Sequence, residues 1–202
     1  MNIQFNINYQ TYYGQELVLS IITGRHNGVN ETSQYRMHTL DGYHWSVEVR
    51  KDVKPGTQMD YFYSVLRGDN EERKEWSVMC HRLNFDAERG LNYCVYDHWN
   101  DIPEDSYLYS SAIADCVVGK KQEKVKLNNF NKSVTLKVRA PQLRAEDQLY
   151  LIGAEPALGA WNEKKALKMT QHNINEWMVT LDGAKLASSR LEVKFFIKNK
   201  AD

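Results

Sequence analysis

The sequence nearly repeats itself at a spacing of about 132 residues. Positions of the first half recur in the second half without a gap: Met37, Trp45, Val47, Asp60, Tyr61, Tyr63 and Val65 match Met169, Trp177, Val179, Glu192, Val193, Phe195 and Ile197. Upstream we predict a register shifted by three, in which Phe5, Ile7, Tyr9, Ile22 and Gly24 match Val134, Leu136, Val138, Leu151 and Gly153. Solenoid repeats are typically ~20–50 residues long, so the longer spacing predicts two copies of one domain in tandem.

The charge composition limits the classes of partner. The chain carries 26 Lys and Arg against 26 Asp and Glu, a formal net charge of zero. A nucleic-acid or anionic-membrane binder needs a basic face, so we predict neither partner. No run approaches the ~20 apolar residues of a membrane span, and the first residues lack the basic and apolar regions of a secretory signal. We therefore expect a cytoplasmic protein.

The residues that most often carry chemistry form no recognisable catalytic or metal site. Cys80, Cys94 and Cys116 lack zinc-ligand spacing, and the histidines show neither HxH nor HExxH spacing. The sequence contains no Gly-rich phosphate loop and no G-x-S-x-G elbow. Glycosidic chemistry needs two facing carboxylates, and no acidic pair can be assigned that task. We predict no metal, no cofactor and no catalysis by these 202 residues.

Short runs of alternating apolar residues predict an all-β protein. The runs lie at residues 5–9, 17–21, 45–49, 61–65 and 93–95, and again at 134–138, 149–152, 177–181 and 191–197. Turn signals such as Asp41-Gly42 and Lys54-Pro55-Gly56 separate them, a pattern typical of an antiparallel sandwich or barrel. Trp45 and Trp177 alternate with valines, which predicts that both tryptophans pack in a core.

The repeat divides the chain into two domains and a linker. We predict a first domain at residues 1–100, a linker at 101–130 and a second domain at 131–202. The linker is expected to pack in part through Tyr107, Leu108, Tyr109 and Ile113. By analogy with the first copy the second would run to residue ~230, so we expect it to be C-terminally truncated and to have an unpaired sheet edge.

An ordered set of motifs in the second copy resembles the starch-binding domain of carbohydrate-binding module family 20. That family has a glycine at a strand end, an LGxW loop, an A-x-x-M step, a W-x-V strand and a YKF-like strand, in that order. The second copy has Leu151-Ile152-Gly153, Leu158-Gly159-Ala160-Trp161, Ala166 with Met169, Trp177 with Val179, and Val193-Lys194-Phe195.

The first copy supplies the closing motifs of the same family. Trp76 is followed six positions later by Arg82, which resembles the family's WExxxNR segment. The stretch from Tyr93 to Trp99 resembles its final V-x-D-x-W strand. The resemblance implies two immunoglobulin-like antiparallel β-sandwich domains in tandem.

The resemblance also implies the sugar-binding residues. In the family the site uses the LGxW tryptophan, the lysine of the YKF strand and the WExxxNR tryptophan. Trp161 and Lys194 match the first two, Trp76 matches the third in the first copy, and His81 stands at the asparagine position as a rim contact. The first copy has no tryptophan in its shorter loop at residues 24–29, and Phe62 replaces the lysine.

Each assignment has a structural alternative. Trp76 can share a core-facing side with Val78, and Lys194 can be a lysine that protects a strand edge. Trp161 lies among small and polar neighbours, which favours sugar stacking over packing. We expect Arg82 to be structural and to pair with a carboxylate or a loop carbonyl rather than with a ligand.

The tandem arrangement resembles the N-terminal region of one type of 4-α-glucanotransferase of glycoside hydrolase family 77. This resemblance implies that the chain binds α-1,4-glucans such as starch, glycogen and maltooligosaccharides. It also implies a C-terminal catalytic domain in the same chain that transfers glucan segments. Two alternatives remain: a non-catalytic glucan-binding scaffold, and a sandwich pair that has lost sugar binding.

Overall fold

The computed structural model describes residues 1–26, 29–76, 78–86, 92–110, 112–113 and 123–199, without the side chains of residues 25 and 26. The chain divides into two compact units, Met1–Glu104 and Asp105–Asp202. Strands dominate both units, and no α-helix occurs among the described residues. The predicted all-β class is therefore confirmed.

Unit 1 is a two-sheet sandwich. Its strands are β1 (Asn2–Asn8), β2 (Glu16–His26), β3 (Val29–Arg36), β4 (His44–Arg50), β5 (Gln58–Arg67), β6 (Asn70–Lys74), β7 (His81–Asn84) and β8 (Tyr93–His98). One sheet has the order β4-β1-β8, and the other has the order β3-β2-β5-β6, with β7 also paired to β5. Phe5 and Trp45 from the first sheet and Leu19 and Tyr63 from the second belong to one buried core cluster.

One strand pair in unit 1 departs from the predicted antiparallel arrangement. β1 pairs antiparallel with β4 but parallel with β8, where Ile3 lies opposite Tyr93 and Asn8 opposite His98. Parallel neighbours need a long connection between them. Here that connection is nearly the whole unit, since β1 and β8 are its first and last strands.

Unit 2 repeats the two-sheet plan with fewer strands among its described residues. They are β9 (Ser133–Arg139), β10 (Asp147–Gly153), β11 (Leu167–Lys168), β12 (Thr170–Asn173), β13 (Glu176–Asp182) and β14 (Val193–Asn199). The sheets have the orders β12-β13-β9 and β11-β10-β14, and every pair is antiparallel. Leu151, Met169 and Trp177 are buried in the core of unit 2. Trp45 is buried in unit 1. The predicted core positions of both tryptophans are therefore confirmed.

Part of the segment predicted as a linker contacts unit 2. The Asn175 Nδ2 donates a hydrogen bond to the Leu108 carbonyl oxygen at 2.9 Å, and the Glu123 N–H donates to the Gln171 carbonyl oxygen at 3.0 Å. Tyr109 is buried, whereas Tyr107 is exposed. These contacts assign residues 105–110 and the region around Glu123 to the second unit.

Sheet pairing fixes the register of the repeat. Leu19 lies opposite Tyr63 in unit 1, and Leu151 lies opposite Phe195 in unit 2, so both strands keep the 132-residue spacing. The same hydrogen bond recurs as well, from the Met37 N–H to the Leu17 carbonyl oxygen and from the Met169 N–H to the Leu149 carbonyl oxygen, each at 2.9 Å.

The predicted three-residue shift upstream is therefore wrong. Gly153 lies opposite Val193 and corresponds to Ile21, which lies opposite Tyr61, and not to Gly24. In the other sheet Ile7 faces Trp45 and Val138 faces Trp177, so the spacing there is 131 residues rather than 129. The two units share one strand plan with a single-residue difference between their first two strands.

The strands that carry alternating apolar residues are confirmed, while the more polar strands were missed. The predicted runs correspond to β1, β2, β4, β5, β8, β9, β10, β13 and β14. The missed strand β6 is exposed at every position and reads Asn-Glu-Glu-Arg-Lys. Charged side chains on an edge strand discourage pairing with other molecules, so this composition suits its position at the end of the sheet.

A buried carboxylate stabilises the β12–β13 hairpin of unit 2. Glu176 is buried, with its Oε1 2.7 Å from His172 Nε2 and its Oε2 3.4 Å from Arg139 Nε. Burial alone raises the pKa of Glu176, but the close contact with His172 and the positive charges of Lys137 and Arg139 outweigh it and lower the pKa to about 2. The ionised form of Glu176 is therefore the form that the fold favours.

The pKa of Glu176 predicts an acid-dependent loss of stability. Because folding lowers this pKa from the ordinary glutamate value of 4.5 to about 2, ionised Glu176 contributes stability above pH 4.5 that is lost as the pH falls towards 2. We expect Glu176→Gln to lower the free energy of unfolding by roughly 2 kcal/mol at neutral pH. The difference from wild type, measured by urea unfolding, should shrink between about pH 5 and pH 3. A difference that stays constant with pH, or an equal effect of Glu146→Gln at an exposed position, would contradict this assignment.

Candidate functional site

Trp161 is carried by a tightly bonded loop between β10 and β11. The loop begins with a 3-10 turn at Pro156–Leu158, and Leu158 anchors it in the core. Three consecutive residues then have left-handed backbone angles: Gly159 at φ 91°, Ala160 at φ 48° and Trp161 at φ 59°. Non-glycine residues rarely adopt this conformation, so the surrounding contacts must hold it in place.

Hydrogen bonds to both ends of the loop supply those contacts. The Trp161 N–H donates to the Gly153 carbonyl oxygen, and the Ala160 N–H donates to the Glu155 carbonyl oxygen, each at 3.0 Å. Asn162 closes the turn, since its N–H donates to the Gly159 carbonyl oxygen at 2.9 Å and its side chain accepts from the Lys164 N–H at 3.0 Å. The loop thus holds Trp161 in one backbone conformation.

Glu155 ties this loop to the segment that leads into β14. Its carboxylate accepts hydrogen bonds from the Ala187 N–H at 2.9 Å and the Ser188 N–H at 3.0 Å. In the same region the Ala154 N–H donates to the Glu192 carbonyl oxygen at 3.1 Å. The motif comparison did not identify Glu155, because its role depends on a loop 32 residues away in sequence.

The structure brings Trp161 and Lys194 together. Trp161 leaves 45% of its surface exposed, and the Lys194 Nζ lies 5.6 Å from the centre of the Trp161 ring. Lys194 lies on β14 opposite Ile152, on the side of the sheet that faces away from the core. An ammonium within about 6 Å of an indole face is attracted to it. The pair therefore presents a flat apolar surface beside three hydrogen-bond donors.

Unit 1 has a different arrangement at the position that matches Lys194. Phe62 occupies it, opposite Ser20, and Phe62 is buried. The lysine comes instead from the neighbouring strand β6, where the Lys74 Nζ lies 4.6 Å from the centre of the Phe62 ring. Residues 27 and 28 and the side chains of residues 25 and 26, in the shorter loop of the first copy, lie outside the described residues.

Trp76 lies in the connection between β6 and β7 in unit 1. Its side chain is half-buried, and its backbone N–H donates to the Asn100 carbonyl oxygen at 2.9 Å. Val78 is exposed, so the alternative in which Trp76 and Val78 share a core-facing side does not hold. Trp76 is thus partly exposed, and its role as a sugar platform stays a prediction.

His81 lies inside unit 1 rather than at a rim. It is 9% exposed, with Nε2 2.9 Å from Glu75 Oε1, Nδ1 3.6 Å from Asp97 Oδ1, and its ring stacked on Tyr61. The structure thus differs from the predicted rim contact, because two carboxylates hold the imidazole in the interior. A buried histidine with both ring nitrogens facing carboxylates is suited to stabilising the fold rather than to meeting a ligand.

The carboxylates around His81 also bind the neighbouring tyrosines and backbone. Asp97 Oδ2 accepts hydrogen bonds from the Tyr61 and Tyr63 hydroxyls at 2.9 and 2.8 Å, and Glu75 Oε2 accepts from the Tyr63 N–H at 2.8 Å. Burial, and then the charge of Asp97, raises the pKa of Tyr63 well above its usual value, so its hydroxyl stays protonated and donates. No sequence pattern marks this network, since its members come from four separate segments.

Arg82 has the structural role expected of it. Its Nε donates to Asp60 Oδ1 at 2.7 Å and its Nη2 donates to Asp60 Oδ2 at 2.8 Å, a two-point contact that matches the planar shapes of both groups.

Cys80 and Cys94 are reduced thiols outside any disulfide, and Cys116 lies outside the described residues. In the described part of the chain no three His, Cys, Asp or Glu side chains are placed to hold a metal ion. The helical turns described there are too short or too polar to cross a membrane.

Comparison with known families gives a match that lies in the unit that carries Trp161 and Lys194. The model of the family described as "Starch binding domain" matches residues 131–202, about a third of the chain. The matched residues include Trp161 and Lys194 and exclude Trp76 and His81. No curated protein sequence is a match to the chain.

Three of the solved structures that the chain resembles are distant likenesses. A family 15 glucoamylase from Hypocrea jecorina has a TM-score of 0.38 and 14% identity over 50% of this chain and 17% of its own. A leucine-rich repeat protein from Bacteroides thetaiotaomicron has a TM-score of 0.32 and 10% identity over 89% of this chain and 20% of its own. A pullulanase from Anoxybacillus sp. has a TM-score of 0.21 and 14% identity over 94% of this chain and 21% of its own. The chain spans about a fifth of the length of these proteins, and TM-scores below 0.5 do not establish a shared fold.

The close packing at Gly153 gives a stability prediction for the loop. A Cβ added there would lie 2.5 Å from the Glu192 carbonyl oxygen and 2.8 Å from Leu158 Cδ1. We expect Gly153→Ala to destabilise the protein by about 1–3 kcal/mol, as overpacking of a core does. Gly24→Ala is the matched control, because its Cβ would meet only the flexible end of the Glu31 side chain, at 3.1 Å. Equal urea midpoints for wild type and both variants would contradict the packing argument.

Proposed function

We propose that unit 2 binds α-1,4-glucans, with Trp161 as the stacking platform and Lys194 as the hydrogen-bonding partner. The observation that supports this most is the pairing itself, an exposed indole with an ammonium 5.6 Å from its centre. The pair lies within the residues that match the starch-binding family model. The left-handed loop conformation also favours a binding role, since strained backbone often accompanies ligand sites.

The chemistry of a glucosyl ring fits this surface. One face of the ring consists of C–H groups, which stack on an indole, and its rim carries hydroxyls that need donors and acceptors. Lys194 can give its donors to those hydroxyls when the sugar replaces the ammonium over the ring. A neutral ligand also agrees with a chain whose formal net charge is zero.

Substitution of Trp161 tests the platform. In native gels with and without amylopectin, we expect the polysaccharide to retard the wild type, and Trp161→Ala to weaken binding by at least about tenfold, as loss of a central aromatic contact does. Lys194→Ala should weaken binding as well. Tyr107→Ala removes another exposed aromatic ring of unit 2 and should leave retardation unchanged. A wild type that is folded but not retarded by amylopectin would reject the proposed function.

The first unit is proposed to have a weaker or altered site. Among its matched sugar residues the structure leaves Trp76 partly exposed, whereas Phe62 and His81 are buried. In the same gels Trp76→Ala should reduce retardation less than Trp161→Ala. The opposite order would make Trp76 the principal platform.

We further propose that this chain is the glucan-binding region of a cytoplasmic 4-α-glucanotransferase. The support is the resemblance of the tandem arrangement to the N-terminal region of such enzymes. The mechanism is tethering: a bound glucan end stays at high effective concentration near the catalytic domain of the same chain. The competing proposal is a scaffold that recruits glucans to another partner.

Deletion of residues 1–202 from the full-length protein tests the tethering proposal. We expect activity on glycogen to fall by about tenfold or more, because linked binding sites add avidity of about that size. Activity on maltose, which is too short to be held at both sites, should change little. Equal activity on glycogen with and without these residues would exclude tethering, and a coding sequence without a catalytic domain would favour the scaffold.

A further inference from the structure

A second group of aromatic rings and a lysine lies on the outer side of the β10–β14 pair. The Tyr150 and Phe196 rings stack across the strands, with centres 5.6 Å apart and planes at 24°. The Lys198 Nζ lies 5.5 Å from the centre of the Tyr150 ring and 5.4 Å from that of Phe196. Both rings are half-buried, so part of each is open to solvent. The grouping repeats the chemistry of the Trp161 and Lys194 pair.

The register of the sheet places this group beside the site already described. Ile152 lies opposite Lys194, Tyr150 opposite Phe196 and Gln148 opposite Lys198. Side chains two residues apart on a strand share one face, so Lys194, Phe196 and Lys198 form one row at intervals of ~7 Å. The row therefore continues from Trp161 along the outer side of β14.

The loop that carries Trp161 also reaches the far end of the row. Glu163 lies two residues after Trp161, and its Oε2 is 4.0 Å from Lys198 Nζ. The Glu163 side chain is largely exposed, so it supplies acceptor oxygens next to the Lys198 donors. A carboxylate and an ammonium beside flat rings are the groups that sugar hydroxyls and C–H faces need.

This arrangement is not required by the strand plan that both units share. At the 132-residue spacing Tyr150 and Phe196 correspond to Val18 and Ser64, which lie opposite each other in unit 1 and are buried. Unit 1 therefore makes the same strand pair without an aromatic stack. The pairing of the strands alone therefore does not explain the stack of Tyr150 on Phe196 in unit 2.

We propose that Tyr150, Phe196 and Lys198 form a second contact region that extends the Trp161 and Lys194 site, so that unit 2 prefers longer α-1,4-glucans. The inference rests on the proposed glucan binding at Trp161. A short sugar occupies Trp161 and Lys194 alone. A longer chain also stacks on the Tyr150 and Phe196 rings and bonds to Lys198 and Glu163.

Titration calorimetry with maltose and maltoheptaose tests the extension. We expect wild type to bind maltoheptaose more tightly than maltose. Phe196→Thr and Lys198→Ala should each raise the Kd for maltoheptaose, by about tenfold for the ring and less for the lysine, and leave the Kd for maltose within about twofold. Thr keeps the strand propensity of β14, and Lys198→Ala changes only a partly exposed side chain, so at least one variant should stay folded.

The matched control is Lys185→Ala, which removes another largely exposed lysine of unit 2. It should leave both dissociation constants unchanged. Equal affinity of wild type for the two sugars, or parallel losses for both sugars in the variants, would overturn the extension and leave the proposed function standing. A purely structural stack would lower stability without changing the ratio of the two affinities. A wild type that binds neither sugar would overturn both proposals.

Discussion

The alternation of side chains along β14 is the constraint on which unit 2 depends. Successive residues of a strand point to opposite faces, so one short segment must serve two environments. Val193, Phe195 and Ile197 lie on the core side, opposite Gly153, Leu151 and Leu149, while Lys194, Phe196 and Lys198 lie on the outer side. A shift of one residue would move the lysines to the side of Leu149 and Leu151, and would move Phe195 and Ile197 to the outer side. The pairing with β10 therefore determines where the outer lysines and rings lie.

The sequence predicted the strands whose alternation has a buried side, because the period-two pattern is a direct consequence of burial. The predicted upstream register, which matched Gly24 with Gly153 among other pairs, was wrong. Gly24 follows a register irregularity between β2 and β3, whereas Gly153 is needed because Glu192 and Leu158 leave no room for a Cβ. The two glycines meet different local requirements, so they do not occupy equivalent positions in the two units. Strand β6 was not predicted, because all its residues are exposed and its sequence therefore has no alternation of apolar residues.

The candidate site was predictable as far as it lies in a local motif. The backbone conformation of the Leu-Gly-Ala-Trp loop requires the glycine of the motif, because Gly159 has φ 91° and a Cβ there would lie 2.9 Å from the Lys165 carbonyl oxygen. Its proximity to Lys194 then follows from the pairing of β10 with β14. His81 could not be placed in this way, because burial depends on Glu75 and Asp97 from other segments. Motif position indicates which residue stands at a site, but not whether neighbouring segments leave it open.

The edge position of β14 links ligand binding to the stability of unit 2. Phe195 and Ile197 are 42% and 49% exposed, whereas their counterparts Tyr63 and Val65 are 0% and 2% exposed. The difference arises because β5 has β2 on one side and β6 and β7 on the other, while β14 pairs only with β10 among the described residues. Less apolar area is buried along β14, so its attachment to the sheet is weaker than that of β5. A ligand that contacts both Trp161 on the loop and Lys194 on β14, as proposed, would bind only when the strand is docked, and its binding free energy would then be added to the stability of that pair.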